Sequence, residues 1–163
     1  GFSMSKLVRL TLPLDRPGAD VKPEELTRVH GLEFPTIRYD DFNGKPYQFV
    51  YANYISHYRS AYYDSLIKVD VNTGAYLVWT EEGAYPGEPI FVPNPEGNNE
   101  DDGVVMTNVL DTKHKETYLL ILDAKTMKEV ARAGPTPHVI PHGFHGRYFD
   151  RKLNAPSPRS VWV

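Results

Sequence analysis

The sequence predicts an all-β protein, and three observations carry this prediction. Aromatic residues make up 12% of the 163 residues and include 11 Tyr, and such side chains are enriched in strands. The 14 Pro and 12 Gly interrupt the chain at short intervals, as turns between strands require. No stretch shows the sustained apolar period of a long amphipathic helix. We therefore expect strands joined by turns in one domain, which is long enough to bury a core.

Composition and charge exclude several functional classes. The net charge is -3 and the Lys and Arg residues are scattered, so the chain has no basic face for nucleic acid. The absence of Cys excludes disulfides, thiol chemistry and a Cys-based zinc site. It also fits a reducing compartment, and we expect a cytoplasmic protein. No apolar run approaches the roughly 18 residues of a membrane span. The opening GFSMSK lacks the apolar core of a signal peptide.

The first part of the chain predicts short elements separated by breaks. Lys6–Leu14 alternates apolar and polar residues, which indicates a half-buried strand. Proline and glycine in Asp15–Glu24 predict a loop, and Glu24–Val29 is predicted to form one helical turn. Leu32–Tyr39 contains a proline, which favours an irregular or edge segment. Asn43-Gly44 then predicts a turn.

The middle of the chain predicts strands on either side of polar loops. Tyr47–Tyr54 is predicted to be a strand, and the polar, Tyr-rich His57–Asp64 a long loop. Pro89–Val92 and Val104–Leu110 supply further strands. The acidic segment between them, Glu96–Asp102, is interpreted as a solvated face and not as a metal site.

Two tight hairpins repeat the same pattern. Each consists of an apolar strand, a four-residue turn and a second strand: Ser65–Asp70 (SLIKVD), VNTG and Ala75–Thr80 (AYLVWT); Tyr118–Asp123 (YLLILD), AKTM and Lys128–Ala133 (KEVARA). Asp70 and Thr73 of the first turn correspond to Asp123 and Thr126, about 53 residues later. Such a period is typical of β-propeller blades, and a meander in a β-sandwich is the alternative. Because propellers close with about four to eight blades, a propeller interpretation makes this chain part of a larger closed structure.

The best candidate for a functional residue is a histidine near the C-terminus. Within Pro141–Phe149 (PHGFHGRYF), Gly143 and Gly146 bracket Phe144 and His145. Glycines allow a bend that holds an imidazole at a set angle. An imidazole held in this way suits a metal ligand or a base, and a turn with a packed or exposed histidine is the alternative.

Several separate strings resemble one known family. They are YPGEPIFV (Tyr85–Val92), EDDGVV (Glu100–Val105), YLLILDAKTMKEVARA (Tyr118–Ala133) and HVIPHGFHG (His138–Gly146), with weaker agreement at Leu32–Tyr39 and at GKPY (Gly44–Tyr47). Together they resemble the C-terminal third of the carotenoid cleavage oxygenases, in particular the β-carotene oxygenases and the retinoid isomerase of the retinal pigment epithelium. We therefore divide the chain into residues 1–149, the family-like segment, and residues 150–163, an extension that is an ordered addition or an interaction arm.

The resemblance implies a fold and a metal centre. Members of the family are seven-bladed β-propellers, so this chain would form the C-terminal blades, completed by another chain or by a missing N-terminal part. On the propeller axis four His hold Fe(II), and Glu side chains bond three of these His. By the family pattern His145 is a ligand, Glu88 is its partner, and Glu33 partners a His that this chain lacks. Phe34 and Phe144 would face the substrate tunnel.

Three functions are consistent with this resemblance. The first is the C-terminal chain of an Fe(II)-dependent oxygenase that cleaves a polyene double bond of a carotenoid or apocarotenoid. The second is a non-catalytic carotenoid-binding pigment or carrier, and the third is an interaction or structural domain. Only His145 of the six His matches a ligand position, so the oxygenase needs the N-terminal chain or fragment of the same propeller. The resemblance also implies peripheral membrane contact for lipid uptake.

Overall fold

The computed structural model describes residues 4–57, 60, 62–136, 140, 141, 143 and 145–149. These residues form eleven strands and one short helical turn, α1 (Tyr39–Phe42). No helix in the described part of the chain is long and apolar enough to cross a bilayer. The expectation of an all-β fold is confirmed.

A two-stranded antiparallel ribbon opens the fold. Strand β1 (Lys6–Leu10) pairs with β2 (Pro23–His30), with the two prolines and the glycine of residues 13–18 in the connection between them. The helical turn predicted at Glu24–Val29 is wrong, because these residues lie within β2. Pairing with β1 and the burial of Leu26 outweigh the local helical preference of so short a segment.

The first large sheet has four antiparallel strands in chain order. They are β3 (Leu32–Thr36), β4 (Phe49–Tyr54), β5 (Ser65–Asp70) and β6 (Tyr76–Thr80). The two central strands, β4 and β5, are buried along nearly their whole length. The edge strand β3 changes register between Glu33 and Thr36, which confirms the prediction of an irregular edge segment around Pro35.

The second large sheet is built around one long strand. Its members are β7 (Ala84–Pro86), β8 (Ile90–Pro93), β9 (Gly103–Asp111), β10 (Glu116–Asp123) and β11 (Glu129–Ala133). The order is β11-β10-β9-β7, and β8 pairs with the other half of β9. Sequence reasoning missed β7, because three residues are too short to show an alternating pattern.

The two predicted hairpins are closed by turns of the same type. Gly74 N–H donates to the Asp70 carbonyl at 2.8 Å, and Met127 N–H donates to the Asp123 carbonyl at 2.8 Å. The residue that closes each turn has a positive φ, 74° at Gly74 and 56° at Met127. Each aspartate also accepts hydrogen bonds from backbone N–H groups of its own turn. The internal repeat is therefore structural, and the two sheets are successive propeller blades.

The core lies between the two blades. It combines side chains of the first sheet with side chains of the second: Tyr51, Leu66 and Trp79 with Val105, Val109, Tyr118, Leu120, Leu122 and Met127. The Tyr51 hydroxyl donates to the Ala124 carbonyl at 3.0 Å and adds a polar link across the same interface. Burial raises the pKa of Tyr51 well above its usual range, with the charge of Asp101 adding to the effect.

The acidic segment also joins the blades, and the interpretation of Glu96–Asp102 as a solvated face is wrong at its C-terminal end. The Asp101 carboxylate forms a buried ion pair with Lys68 of β5, with a distance of 2.7 Å between Oδ2 and Nζ. The Glu100 carboxylate accepts the backbone N–H groups of Gln48 and Phe49 at 2.7–2.9 Å. These carboxylates accept hydrogen bonds from groups of the other blade. A local sequence pattern does not reveal such distant partners.

Candidate metal centre

The structure brings together Glu88, which lies between β7 and β8, and His145, which follows β11 in the chain. The His145 Nδ1 atom lies 3.1 Å from Glu88 Oε1, and Gly146 N–H donates to Glu88 Oε2 at 2.7 Å. Both carboxylate oxygens are therefore engaged by consecutive residues. The predicted contact between His145 and Glu88 is confirmed.

Gly146 permits this arrangement because the chain passes close to β8 at this point. A Cβ atom at position 146 would lie 2.9 Å from Ile90 Cδ1, which is closer than side-chain carbons normally approach. The absence of a side chain lets the backbone N–H of Gly146 reach the carboxylate. The consecutive residues His145 and Gly146 thus both bind the Glu88 carboxylate.

Phe34 contacts the imidazole from the first blade. Its ring centroid lies 5.9 Å from that of His145 with an interplanar angle of 81°, and 5.7 Å from that of Tyr63 with an angle of 79°. Both are edge-to-face contacts of the kind that aromatic rings prefer. Phe34 has a φ of 50°, an uncommon value for a residue with a side chain, at the point where β3 changes register. The irregular edge of β3 therefore directs this ring towards His145.

Two cavities adjoin the His145–Glu88 pair. One, of about 180 Å³, is lined by Phe34, Tyr62, Tyr63, Pro86, Glu88 and Asn53. The other, of about 240 Å³, has an apolar wall on the second blade, formed by Ile90, Val92, Met106 and Leu119, and reaches Glu88 and His145. Such apolar walls with a few polar groups are typical of ligand sites.

Glu33 lies on β3 opposite Asn53 of β4. Burial raises the pKa of Tyr63, and the negative charge of Glu33 raises it further, so Glu33 lies near the tyrosine side of the first cavity. Among the described residues Glu33 makes no hydrogen bond to His145. The expectation that Glu33 serves a different histidine stays a prediction.

The other histidines that the structure describes lie on the surface. His30, His57 and His114 are exposed and each faces a carboxylate, Glu25, Asp64 and Asp111 in that order. The hydrogen bond to Asp111 raises the pKa of His114. Asp111, His114 and Glu116 have ligand atoms within 4.8 Å of one another in the β9–β10 turn, where the exposed His114 bonds to the buried Asp111. The predicted tunnel residue Phe144 lies outside the described residues, as do His138 and His142.

The chemistry of the pair fits one ligand position of a metal centre. A histidine that donates one ring N–H to a carboxylate is oriented for coordination through its other nitrogen. Within the described residues His145 is the single imidazole at this place, and its side chain is 65% exposed. Within the part of the chain that the structure describes, this place offers one such imidazole and its orienting acid, His145 and Glu88.

Two residues of the centre were missed by sequence reasoning. Asn53 is fully buried in β4, and Thr107 is buried in β9, and both donate hydrogen bonds to the Gly87 carbonyl next to Glu88. The signal for Asn53 was present as a polar residue inside the apolar strand FVYANY. No comparable signal marks Thr107, which alternates with apolar residues as many strand threonines do.

Comparisons with known proteins show the family of the chain. The profile of the family described as retinal pigment epithelial membrane protein, RPE65, matches residues 2–150. The chain is 46% identical over 126 residues to a mitochondrial carotenoid-cleaving dioxygenase of Pongo abelii, with 77% of this chain and 22% of that protein covered. It is 37% identical over 152 residues to a carotenoid isomerooxygenase of Galleria mellonella, with 88% of this chain and 29% of that protein covered.

A solved structure shares the same fold. The crystal structure of a cobalt-substituted Synechocystis apocarotenoid oxygenase superposes with a TM-score of 0.76 at 30% sequence identity, covering 86% of this chain and 29% of that chain. The chain thus spans between a fifth and a third of the length of the proteins that it matches. The match runs through both blades and the His145–Glu88 segment, and the chain belongs to the carotenoid oxygenase family represented by the retinal pigment epithelial membrane protein.

Proposed function

We propose that this chain is part of an Fe(II)-dependent oxygenase that cleaves a double bond of a carotenoid or apocarotenoid, with His145 as one iron ligand. The observation that carries the proposal is the binding of one carboxylate, Glu88, by both the His145 ring and the Gly146 N–H. The Phe34 ring and two cavities adjoin this pair. The arrangement holds the imidazole at a fixed angle.

Glu88 selects the tautomer of the ring. A carboxylate that accepts a hydrogen bond from Nδ1 favours the neutral tautomer with its proton on that atom. The Nε2 lone pair then suits coordination of iron, for which imidazole is a favourable ligand. Iron, when bound, would supply the activation of O₂. The residues of this chain orient the ligand and line the place where the polyene lies.

The apolar walls of the two cavities favour a long apolar substrate. Phe34 and, by the family pattern, Phe144 would contact the polyene, and the wall of Ile90, Met106 and Leu119 would exclude water. Glu33 would orient a second histidine ligand, which must come from outside this chain. The remaining ligands would be supplied by the rest of the propeller, since the chain covers 29% of a related oxygenase structure.

The test compares variants of the purified protein that contains this chain, with iron content and apocarotenoid products as readouts. His145→Ala should abolish iron-dependent cleavage and lower the iron content. Glu88→Gln should reduce iron affinity or activity by about 10- to 100-fold, because an amide oxygen can still accept the Nδ1 hydrogen bond. His57→Ala, which removes an exposed histidine paired with Asp64, is the matched control and should change neither readout.

Two results would contradict the proposal. One is a His145→Ala protein that retains full iron content and cleavage. The other is a protein that binds a carotenoid, shown by its visible absorption, without iron and without turnover. The second result would assign the alternative function, a carotenoid-binding pigment or carrier.

A further inference from the structure

Four hydrogen bonds from two blades fix the two peptides before Glu88, and two of these bonds hold the peptide that joins Gly87 to Glu88. Gly87 N–H donates to the Asn108 carbonyl at 2.8 Å. The Gly87 carbonyl accepts from Thr107 Oγ1 of the second blade at 2.8 Å and from Asn53 Nδ2 of the first blade at 2.9 Å. Asn53 Nδ2 also donates to the Pro86 carbonyl at 2.9 Å. Rotation of this peptide would break bonds to both blades.

The residue after Glu88 restricts it from the other side. Pro89 is fully buried, and a proline limits the backbone of the preceding residue to extended conformations. The backbone of Glu88 is therefore held between a peptide fixed by Asn53 and Thr107 and a buried proline. The Cα–Cβ bond of Glu88 therefore has a set direction, and the contacts with His145 and Gly146 hold the carboxylate at its far end.

The amide of Asn53 is oriented by its two donated bonds. Both acceptors are carbonyl oxygens, so the reverse orientation would place Oδ1 against two acceptors. In the observed orientation Oδ1 is buried and has no hydrogen-bond partner among the described residues. An unpaired buried acceptor is destabilising and offsets the gain from the donated bonds. Asn53 therefore contributes more to the orientation of the Gly87 carbonyl than to the stability of the fold.

We propose that Asn53 and Thr107 are positioning residues that fix the Gly87 carbonyl and thereby aim the Glu88 carboxylate at the metal-ligand histidine. One comes from each blade, so the orientation of His145 depends on correct docking of the two blades. The inference rests on the proposed role of His145 as a ligand. It adds two residues that contact neither His145 nor a metal.

The first test uses the metal-free protein that contains this chain, titrated with Fe(II) or Co(II) in competition with a chelator. Thr107→Val keeps the shape and removes the donor, and it should weaken metal binding by about 10-fold, the lower end of the effect of groups that support a metal ligand. Thr107→Ser keeps the hydroxyl and should restore the affinity. Asn53→Leu should weaken metal binding while shifting the melting temperature little, because it also removes the unpaired Oδ1.

A second comparison separates positioning from general stability. In a Glu88→Ala background Thr107→Val should have no further effect on metal affinity, because the carboxylate that it aims is absent. A purely structural role would lower the affinity by the same factor in both backgrounds, which would overturn the inference. Thr27→Val is the matched control: the Thr27 hydroxyl donates to the Gly74 carbonyl in the β5–β6 turn, and its loss should leave metal affinity unchanged.

Crystal structures of the metal-free variants test the geometry itself. In Thr107→Val and Asn53→Leu the distance between Glu88 Oε1 and His145 Nδ1 should increase beyond the hydrogen-bonding range, from the present 3.1 Å. Unchanged positions of Gly87 and Glu88 in both variants would overturn the inference. If the unmodified protein binds neither metal, the proposed function fails, and these structures still decide whether Asn53 and Thr107 orient Glu88.

Discussion

Asp102 stabilises the acidic loop through both of its carboxylate oxygens. Oδ2 accepts the backbone N–H groups of Asn98 and Asn99, and Oδ1 accepts Lys125 Nζ at 3.0 Å. The N–H of Asn99 and the Lys125 ammonium together lower the pKa of Asp102 to about 2. The folded form thus keeps this carboxylate charged at a pH where the unfolded chain has taken up a proton.

This shift predicts a contribution to acid unfolding. Since the pKa of the folded state is lowered, the stabilisation by Asp102 is complete above about pH 4 and is lost as the pH falls towards 2. Asp102→Asn should be less stable at neutral pH, and its melting temperature should fall less steeply between pH 4 and 2. The measurement is thermal unfolding against pH. Asp20→Asn, at an exposed position in the loop after β1, is the control, and an equal slope for Asp102→Asn and the parent protein would contradict the prediction.

The two hairpins show how an element tolerates a positive φ in different ways. Gly74 closes the β5–β6 turn with no side chain, whereas Met127 closes the equivalent β10–β11 turn with a side chain buried in the core. A left-handed conformation costs about 1–2 kcal/mol for a residue with a Cβ atom. Burial of the Met127 side chain offsets this cost in the second hairpin.

This comparison predicts that Gly74→Ala is destabilising for two reasons. The substitution incurs the conformational cost of roughly 1–2 kcal/mol, and its Cβ would lie 3.3 Å from the Leu26 carbonyl oxygen. Gly44→Ala is the matched control, because Gly44 has a similar φ of 73° and a Cβ atom there would meet no atom of a non-adjacent residue within 4 Å. Urea unfolding should therefore show a larger loss of free energy for Gly74→Ala than for Gly44→Ala. Equal losses would show that the contact with β2 has no effect.

At the scale of the molecule, the blades are joined by a buried ion pair. Lys68 Nζ contacts Asp101 Oδ2 at 2.7 Å, also donates to the Lys125 carbonyl, and lies 4.0 Å from the centroid of the Phe49 ring. The pair lies at the blade interface that also contains Asn53 and the core. Its loss should therefore affect the docking of one blade on the other.

Removing one partner should destabilise the protein far more than removing both. Lys68→Met leaves Asp101 buried without its cation and should lower the free energy of unfolding by about 3–5 kcal/mol. The double variant Lys68→Met, Asp101→Leu should lose much less, because no buried charge remains unpaired. Lys113→Met, which breaks the exposed pair with Glu82, should change stability by about 0–1 kcal/mol. Additive losses in denaturant unfolding of the double variant would contradict this account.

Local signals were sufficient to predict the hairpins. The turn at Asp70–Gly74 and its repeat at Asp123–Met127 depend on residues within five positions, and the alternation of their strands depends on near neighbours. The resemblance of separate strings to one family then indicated the partner of His145, because the family pattern pairs positions that are distant in sequence. For these features the sequence contained the necessary information in short, ordered segments.

The tertiary structure decided the features that depend on distant partners. Strand β2 forms because β1 lies beside it, and Asp101 is buried because Lys68 faces it from 33 positions away. Likewise Asn53 reaches the Gly87 carbonyl across 34 positions, and Gly146 reaches Glu88 across 58. Whether a polar residue is solvated or buried depends on which donor or acceptor the other blade brings to it. That partner is chosen by the packing of two sheets, and no local pattern of residues encodes it.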